Sequence, residues 1–257
     1  MKKITLVKLG GSIITEKSQP YTPRIDKIKR LVKELKTAES PLLLDHGTGS
    51  YGHTSATIYG GKKGYLSKLG IAKVCNDVMR INNILMAILI EEDLPAVALH
   101  PMSMVLAEGG NVKHHLFEVI EEVLTQGLMP VIHGDVIWDL TWKSTILSGE
   151  ALFTSIGTYL IGKHFYVDKI IYVGKTNGFL DSQGETVSII NKGNWTDIYQ
   201  GASYNVENDV TGGMKHKIEQ ALLMAQKGCQ TWIINGNIAG ELSHALEGKP
   251  IRGTIVK

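Results

Sequence analysis

The feature that most constrains this chain is a repeated order: a short apolar run rich in β-branched residues, then a glycine-bearing turn, then a stretch with helical spacing. Ile4 to Leu9 is the first such run, and Gly10-Gly11-Ser12 follows it. Arg24 to Ala38 then carries Ile25, Ile28, Leu31, Val32 and Leu35 at helical intervals, and Leu42 to Asp45 reads as a second strand. Ile71, Val74, Val78, Ile81, Leu85 and Ile88 mark one face of a long helix ending near Asp93. Further strands are expected at Pro95 to Leu99, Pro130 to Ile132, Lys169 to Val173, Thr231 to Ile234 and Arg252 to Val256. Helices are expected at Leu116 to Leu124, Leu152 to Ile161, Gly213 to Lys227 and Glu241 to Glu247, and a hairpin at Trp138 to Leu147. This alternation predicts an α/β fold whose central, mainly parallel sheet is covered on both faces. The 257 residues suit one large domain or two joined lobes, with a boundary expected near Tyr166 to Asp168.

Composition narrows the partners. Net charge is +2, so no basic surplus points to nucleic acid or an anionic membrane. Lys27, Lys29, Arg30, Lys33 and Lys36 fall on one amphipathic stretch and read as a solvated helix face. The two cysteines, Cys75 and Cys229, have no metal-ligand spacing and apolar neighbours; they are expected as buried thiols in a reducing compartment. The opening MKKITLVKLGGS is too short and too interrupted by Lys8 for a signal segment, and no run reaches membrane-spanning length; a cytoplasmic setting is expected.

In an open α/β sheet, ligands gather at the carboxyl ends of the strands. Five segments stand at such places or open a helix: Gly10-Gly11-Ser12, His46 to His53, His133-Gly134-Asp135, Gly174 to Gly178, and Asp209 to Lys217. Glycines let backbone N–H groups approach phosphate oxygens, helix N-termini add a positive dipole end, and lysines supply compact charges. Phosphoryl transfer asks mainly for positioning and charge neutralisation. Singly, each segment also reads as ordinary turn or capping chemistry; their joint occurrence at successive strand ends is what points to a phosphate site. Gly47-Thr48-Gly49-Ser50-Tyr51-Gly52 matches the spacing of a dinucleotide-binding turn, but no acid stands about 20 residues on at the end of a next strand. No G-x-x-x-x-G-K-[ST] phosphate loop is present.

Lys8-Leu9-Gly10-Gly11-Ser12, with Thr15 and Lys17 after it, resembles the opening of the amino acid kinase superfamily. His46 to His53 resembles that superfamily's second glycine loop in the form used by isopentenyl phosphate kinases, which ends in a histidine. Pro130 to Asp135, Ser148-Gly149-Glu150, Asp209 to Lys217, Arg80 to Asn83 and Asn235 to Asn237 extend the likeness over nearly the whole chain. The resemblance implies an amino acid kinase-like three-layer sandwich forming a single domain over 1–257, with an acceptor-binding lobe at about 1–166 and a nucleotide-binding lobe at about 167–257. It implies an ATP- and Mg2+-dependent kinase of isoprenoid biosynthesis, acting on isopentenyl phosphate as a homodimer. Lys8, Lys17 and Lys217 would contact the phosphates of ATP and the transferring group. Gly10, Gly11 and Ser12 would hold the β- and γ-phosphates, with Gly174, Gly178, Gly213 and Lys215 also on the nucleotide. Gly47, Thr48, Gly49, Gly52 and Gly149 would hold the acceptor, with His53 bonding its phosphate. Ile71, Val74 and Val78 would line the apolar tail pocket, although each also suits ordinary core. No protein-held metal site is implied.

Three departures from the family pattern stand out. Thr48 replaces a glycine and fits only with negative φ. Glu150-Ala151 replaces two acids, leaving Glu150 to orient the lysines. Lys175 and Asn177 stand where the family carries aspartates, which changes how ribose or phosphate is held. A related kinase with another alkyl phosphate, phosphonate or carboxylate acceptor, or a nucleotide-binding sensor without turnover, therefore remain open at this stage.

Overall fold

The structure is a computed structural model and describes residues 1–61, 63–65, 67–202 and 211–257. In chain order the elements are β1 (Lys2–Leu9), α1 (Gly11–Ile14), α2 (Ile25–Leu35), β2 (Leu42–His46), α3 (Gly49–Tyr59), β3 (Gly60–Gly61), β4 (Gly64–Tyr65) and α4 (Lys68–Glu91). Then come β5 (Ala96–Ala98), α5 (Pro101–Met104), β6 (Val105–Glu108), β7 (Asn111–His115), α6 (Glu118–Thr125), β8 (Met129–His133), β9 (Asp135–Asp139) and β10 (Lys143–Leu147). The last are α7 (Gly149–Leu160), β11 (Phe165–Gly174), β12 (Ile189–Ile190), α8 (Trp195–Ala202), α9 (Thr211–Ala225), β13 (Gln230–Asn235), α10 (Glu241–Glu247) and β14 (Gly253–Val256).

Eight strands form the central sheet in the order β12-β14-β13-β11-β1-β2-β8-β5. All adjacent pairs are parallel except β13–β14. The strands alternate between two buried layers, because successive side chains leave a strand on opposite faces, with one register shift where β11 passes Asp168 beside Ile4 and Thr5 of β1. Ile4, Leu6, Leu43, Ile170 and Tyr172 pack with α7 residues Leu152, Phe153 and Ile156 on one face. Val7, Leu9, Leu44, Val131 and Ile171 pack with Ile28, Leu31 and Leu35 of α2 and Ile81 and Leu85 of α4 on the other. This is the expected three-layer α/β sandwich. Lys29, Lys33 and Lys36 lie on the solvent side of α2, paired with Glu91 and Glu92.

The strand ends decide what can meet. β1, β2 and β8 run parallel with their carboxyl ends together, so Gly10, Gly47 and Gly134 leave the sheet side by side. The β9–β10 hairpin, expected from the sequence, has its turn built by Asp139. Its carboxylate accepts from Thr141 N and Trp142 N, both at 2.8 Å, and from Gly110 N at 2.7 Å. This hairpin joins β6 and β7 in a separate four-stranded sheet, order β10-β9-β6-β7, which the sequence pattern did not reveal. Tyr166 to Asp168, the expected lobe boundary, lies inside the continuous strand β11. Cys229 is buried as expected, whereas Cys75 is only half-buried: it lies on the flank of α4, its Sγ 3.7 Å from Met102 Sδ.

Candidate active site

The two glycine turns pack backbone against backbone. A Cβ on Gly11 would collide with Gly49, and one on Gly47 would collide with Gly11, so this approach is open only to glycine. Thr15 locks it: its hydroxyl donates to Gly11 O at 2.7 Å and accepts from Ser50 N at 2.9 Å. Thr48 keeps φ at −80°, the negative value its side chain requires. Its hydroxyl and methyl groups fill the space over Gly52, where any Cβ would collide with them. The segment read from sequence as a loop to His53 turns helical earlier, at Gly49 (φ +50°), and His53 stands within α3. Packing of α3 against α4 overrides the poor helix propensity of its glycines. The Thr48 side chain does not cap α3; Thr15 takes the Ser50 N–H, and the Tyr51 and Gly52 N–H groups turn back to Thr48 O.

These elements enclose a cavity of about 320 Å3. Lys8, Gly10, Gly11, Ser12 and Lys17 line it from the first turn, and Gly47, Thr48, Gly49, Gly52 and His53 from the second. Ser148, Gly149 and Glu150 close it at the start of α7, and Lys217 reaches in from α9. Val74 and Val78 of α4, with Val136 and Ile146 of the hairpin, make an apolar wall. Val136 and Ile146 are direct cross-strand partners, so the hairpin presents them together.

The charged floor is tightly coupled. Glu150 Oε2 lies 2.9 Å from Lys8 Nζ, and its Oε1 lies 3.9 Å from Lys217 Nζ. Burial opposes the Glu150 charge, but Lys8 and Lys217 outweigh it and hold the carboxyl at about 2. Asp45 Oδ2 meets Lys8 from the other side at 3.0 Å. Burial pushes the Asp45 carboxyl up to about 7 against the pull of Lys8. Lys8 itself is raised above its ordinary value: burial works against its charge, and the two carboxylates prevail. Burial, then the charges of Lys8 and Lys17, lower Lys217, while Glu150 pulls it back up. His53 keeps solvent access at the cavity mouth, yet desolvation by the walls and then the Lys17 charge hold its imidazole below the usual histidine range.

Beneath the turns lies a buried histidine layer. His46 Nε2 is 3.1 Å from Asn82 Oδ1, and His100 Nδ1 is 3.2 Å from His133 Nε2. Burial holds His46 at about 4 and His133 at about 3, so both are neutral at pH 7. Asp135 lines the cavity beside Val136. It accepts from Val136 N at 2.8 Å and Met102 N at 3.3 Å, and burial raises it to about 7.

Of the residues singled out from the sequence, the cavity gathers the three lysines, His53, both glycine turns, Ser12, Gly149, Val74 and Val78. Gly174, Gly178, Gly213, Lys215 and Ile71 do not line it. Gly174 adjoins Gly10, whose N–H bonds Val173 O at 2.9 Å. Gly178 (φ +81°) is required by close packing on Thr254. Lys215 pairs with Glu219 at 3.8 Å and lies over the Tyr199 ring. Asn177 bonds Asn235 at 2.9 Å, and Lys175 is exposed. Asp209 lies outside the described residues. Sequence reasoning missed Val136 and Ile146, which the hairpin pattern after the His133-Gly134 turn would have placed at the site. It also read Asp45 only as a strand end.

Residues 3–235 match the amino acid kinase family model. The chain is 32% identical to the isopentenyl phosphate kinase of Methanocaldococcus jannaschii, over 98% of this chain and 97% of that protein. It is 30% identical to the isopentenyl phosphate kinase of Methanothermobacter thermautotrophicus, over 97% of each. A crystal structure of an isopentenyl phosphate kinase superposes with a TM-score of 0.82 at 26% identity, covering 98% of this chain and 99% of that one. With glycine turns, lysine cluster and full-length likeness in agreement, this chain belongs to the amino acid kinase family and, within it, to the isopentenyl phosphate kinases.

Proposed function

We propose that this chain transfers the γ-phosphate of ATP to isopentenyl phosphate, yielding isopentenyl diphosphate and ADP. An oxygen of the acceptor phosphate attacks the γ-phosphorus, the bond from that phosphorus to the β-phosphate oxygen breaks, and ADP leaves. The observation that carries this reading is a single cavity joining two glycine turns, His53, three lysines and an apolar wall. The turn Gly10-Gly11-Ser12 suits the β- and γ-phosphates. The turn Gly47 to Gly52, at the positive dipole end of α3 and beside His53, suits the acceptor phosphate. Lys8, Lys17 and Lys217 neutralise charge that spreads over the transferring group. Val74, Val78, Val136 and Ile146 suit a short hydrocarbon tail.

Mg2+ is expected with ATP, but the described residues do not fit a protein-held metal. They contain no cluster of three or more potential ligands, and Asp45 and Glu150 are committed to lysines. The ion would ride on nucleotide phosphates. A homodimer and a cytoplasmic setting belong to the same proposal; no described helix is long and apolar enough to cross a membrane.

Asp135 lines the cavity beside the apolar wall, which favours an acceptor carrying a polar substituent. Its bonds to Val136 and Met102 tie β9 to α5, and this local role leaves the hydrocarbon reading in front. A coupled assay of ADP release, comparing isopentenyl phosphate with other alkyl phosphates, phosphonates and amino acids, tests the proposal. Turnover confined to another acceptor would replace the substrate, and no turnover with any would end the reading.

A further inference from the structure

Four in-register residues cross the centre of the sheet on the face beneath α7: Tyr172 on β11, Lys8 on β1, Asp45 on β2 and Ile132 on β8. The outer two are core residues, and the inner two carry charge. Asp45 is 0% exposed, in the row where Leu43 packs two residues earlier. A carboxylate so placed is strongly disfavoured unless it is paired. Its charge therefore rests on the ion pair with Lys8, whose Nζ lies 3.0 Å from Oδ2. The chain is shaped around this pair. A Cβ on Gly149 would collide with Asp45 Oδ2 and Lys8 Nζ, so α7 begins directly on top of them. The next residue, Glu150, already gives Lys8 a carboxylate partner. Asp45 is thus a second counterion to one lysine, and it lies behind the cavity wall.

The cavity receives anions, which changes the balance. Without ligand, Asp45 and Glu150 both meet Lys8, and Glu150 also reaches Lys217. A phosphate group docking on Lys8 brings further negative charge to the same ammonium, and Asp45 cannot move away or be hydrated. Proton uptake is its remaining response. The groups facing it favour this. Glu150 on α7 stays ionised, Tyr172 on β11 and His46 on β2 are neutral, and Lys8 with the more distant Lys217 provides the positive charge.

We propose that Asp45 is a positioning residue that holds Lys8 in the empty site and takes a proton from solution when phosphate groups bind. It touches neither ligand and acts through Lys8. The inference rests on the reading of the cavity as a phosphate site. Its consequence is an affinity that weakens as pH rises above neutrality, because an ionised Asp45 must then be protonated at each binding event.

The test is calorimetric titration of ATP into the full-length protein at pH 8, in two buffers of different ionisation enthalpy, for wild type and for Asp45→Asn. At that pH the nucleotide phosphates are already ionised. The expected result is uptake of about half a proton or more per site by wild type and almost none by the variant. The wild-type Kd should rise by up to about tenfold per pH unit between pH 7.5 and 8.5, with a flatter profile for the variant. Asp45→Val supplies a second neutral side chain suited to a buried strand, should asparagine perturb folding. Equal proton counts in wild type and variants would overturn the role of Asp45 and leave the kinase reading standing. Absence of ATP binding in wild type would overturn both.

Discussion

Lys8 and Glu150 stand 142 positions apart and meet at 2.9 Å on the cavity floor. Glu150 also reaches toward Lys217 with its other oxygen, so one carboxylate spaces two lysines that would otherwise repel each other. Glu150, the acid expected to orient the lysines, contacts Lys8 and approaches Lys217.

Glu150→Gln keeps the shape and removes the charge. The kcat should fall by about 10- to 100-fold, since both lysines lose their spacer, and steady-state kinetics measures it. Glu150 is held at about 2, below its ordinary 4.5. Its contribution to stability is therefore full above pH 4.5 and lost as pH falls toward 2. Urea unfolding between pH 2 and 6 should show a shallower acid loss in the variant.

In the proposed mechanism His53 grips the acceptor and not the nucleotide. In His53→Ala the KM for isopentenyl phosphate should rise by about tenfold or more, the typical penalty for losing a hydrogen bond to a charged group. The Kd for ATP should stay nearly unchanged, and calorimetry of each ligand separates the two. Normal turnover in this variant would remove the role.

Lys217 enters the cavity from α9 and faces the transferring group in the proposed mechanism. Lys217→Ala should lower kcat by about 100- to 1,000-fold with a smaller change in KM, the pattern of charge stabilisation in the transition state. A pure KM effect would assign it to ground-state binding.

Gly149 has no room for a methyl group, because Asp45 and Lys8 occupy it. Gly149→Ala should destabilise the fold by about 1–3 kcal/mol and abolish most activity, as thermal unfolding and the ADP assay would record. Gly213, with nothing within 4 Å of an added Cβ, is the comparison: Gly213→Ala should leave stability unchanged or slightly higher.

Much of this molecule was legible in its residues. Strand–helix alternation carries the sheet, because apolar periodicity is a local property of the chain. The glycine turns, Lys8, His53 and Lys217 stood out as residue types suited to phosphate, Lys17 came from the family resemblance, and one cavity gathers them. Thr48 could be judged in advance, because a side chain at that turn tolerates only negative φ. Other features depended on which strands become neighbours. Asp45 looked like the end of a strand until β2 lay in register beside β1 and set it against Lys8, 37 positions earlier. Val136 and Ile146 reached the apolar wall only because the hairpin folds over α4. Gly149 became indispensable only when α7 settled onto the Lys8–Asp45 pair. Local pattern determined the elements and the kind of chemistry at their ends. Strand order and register decided which charges share one buried floor, because those contacts join residues that no sequence window holds together.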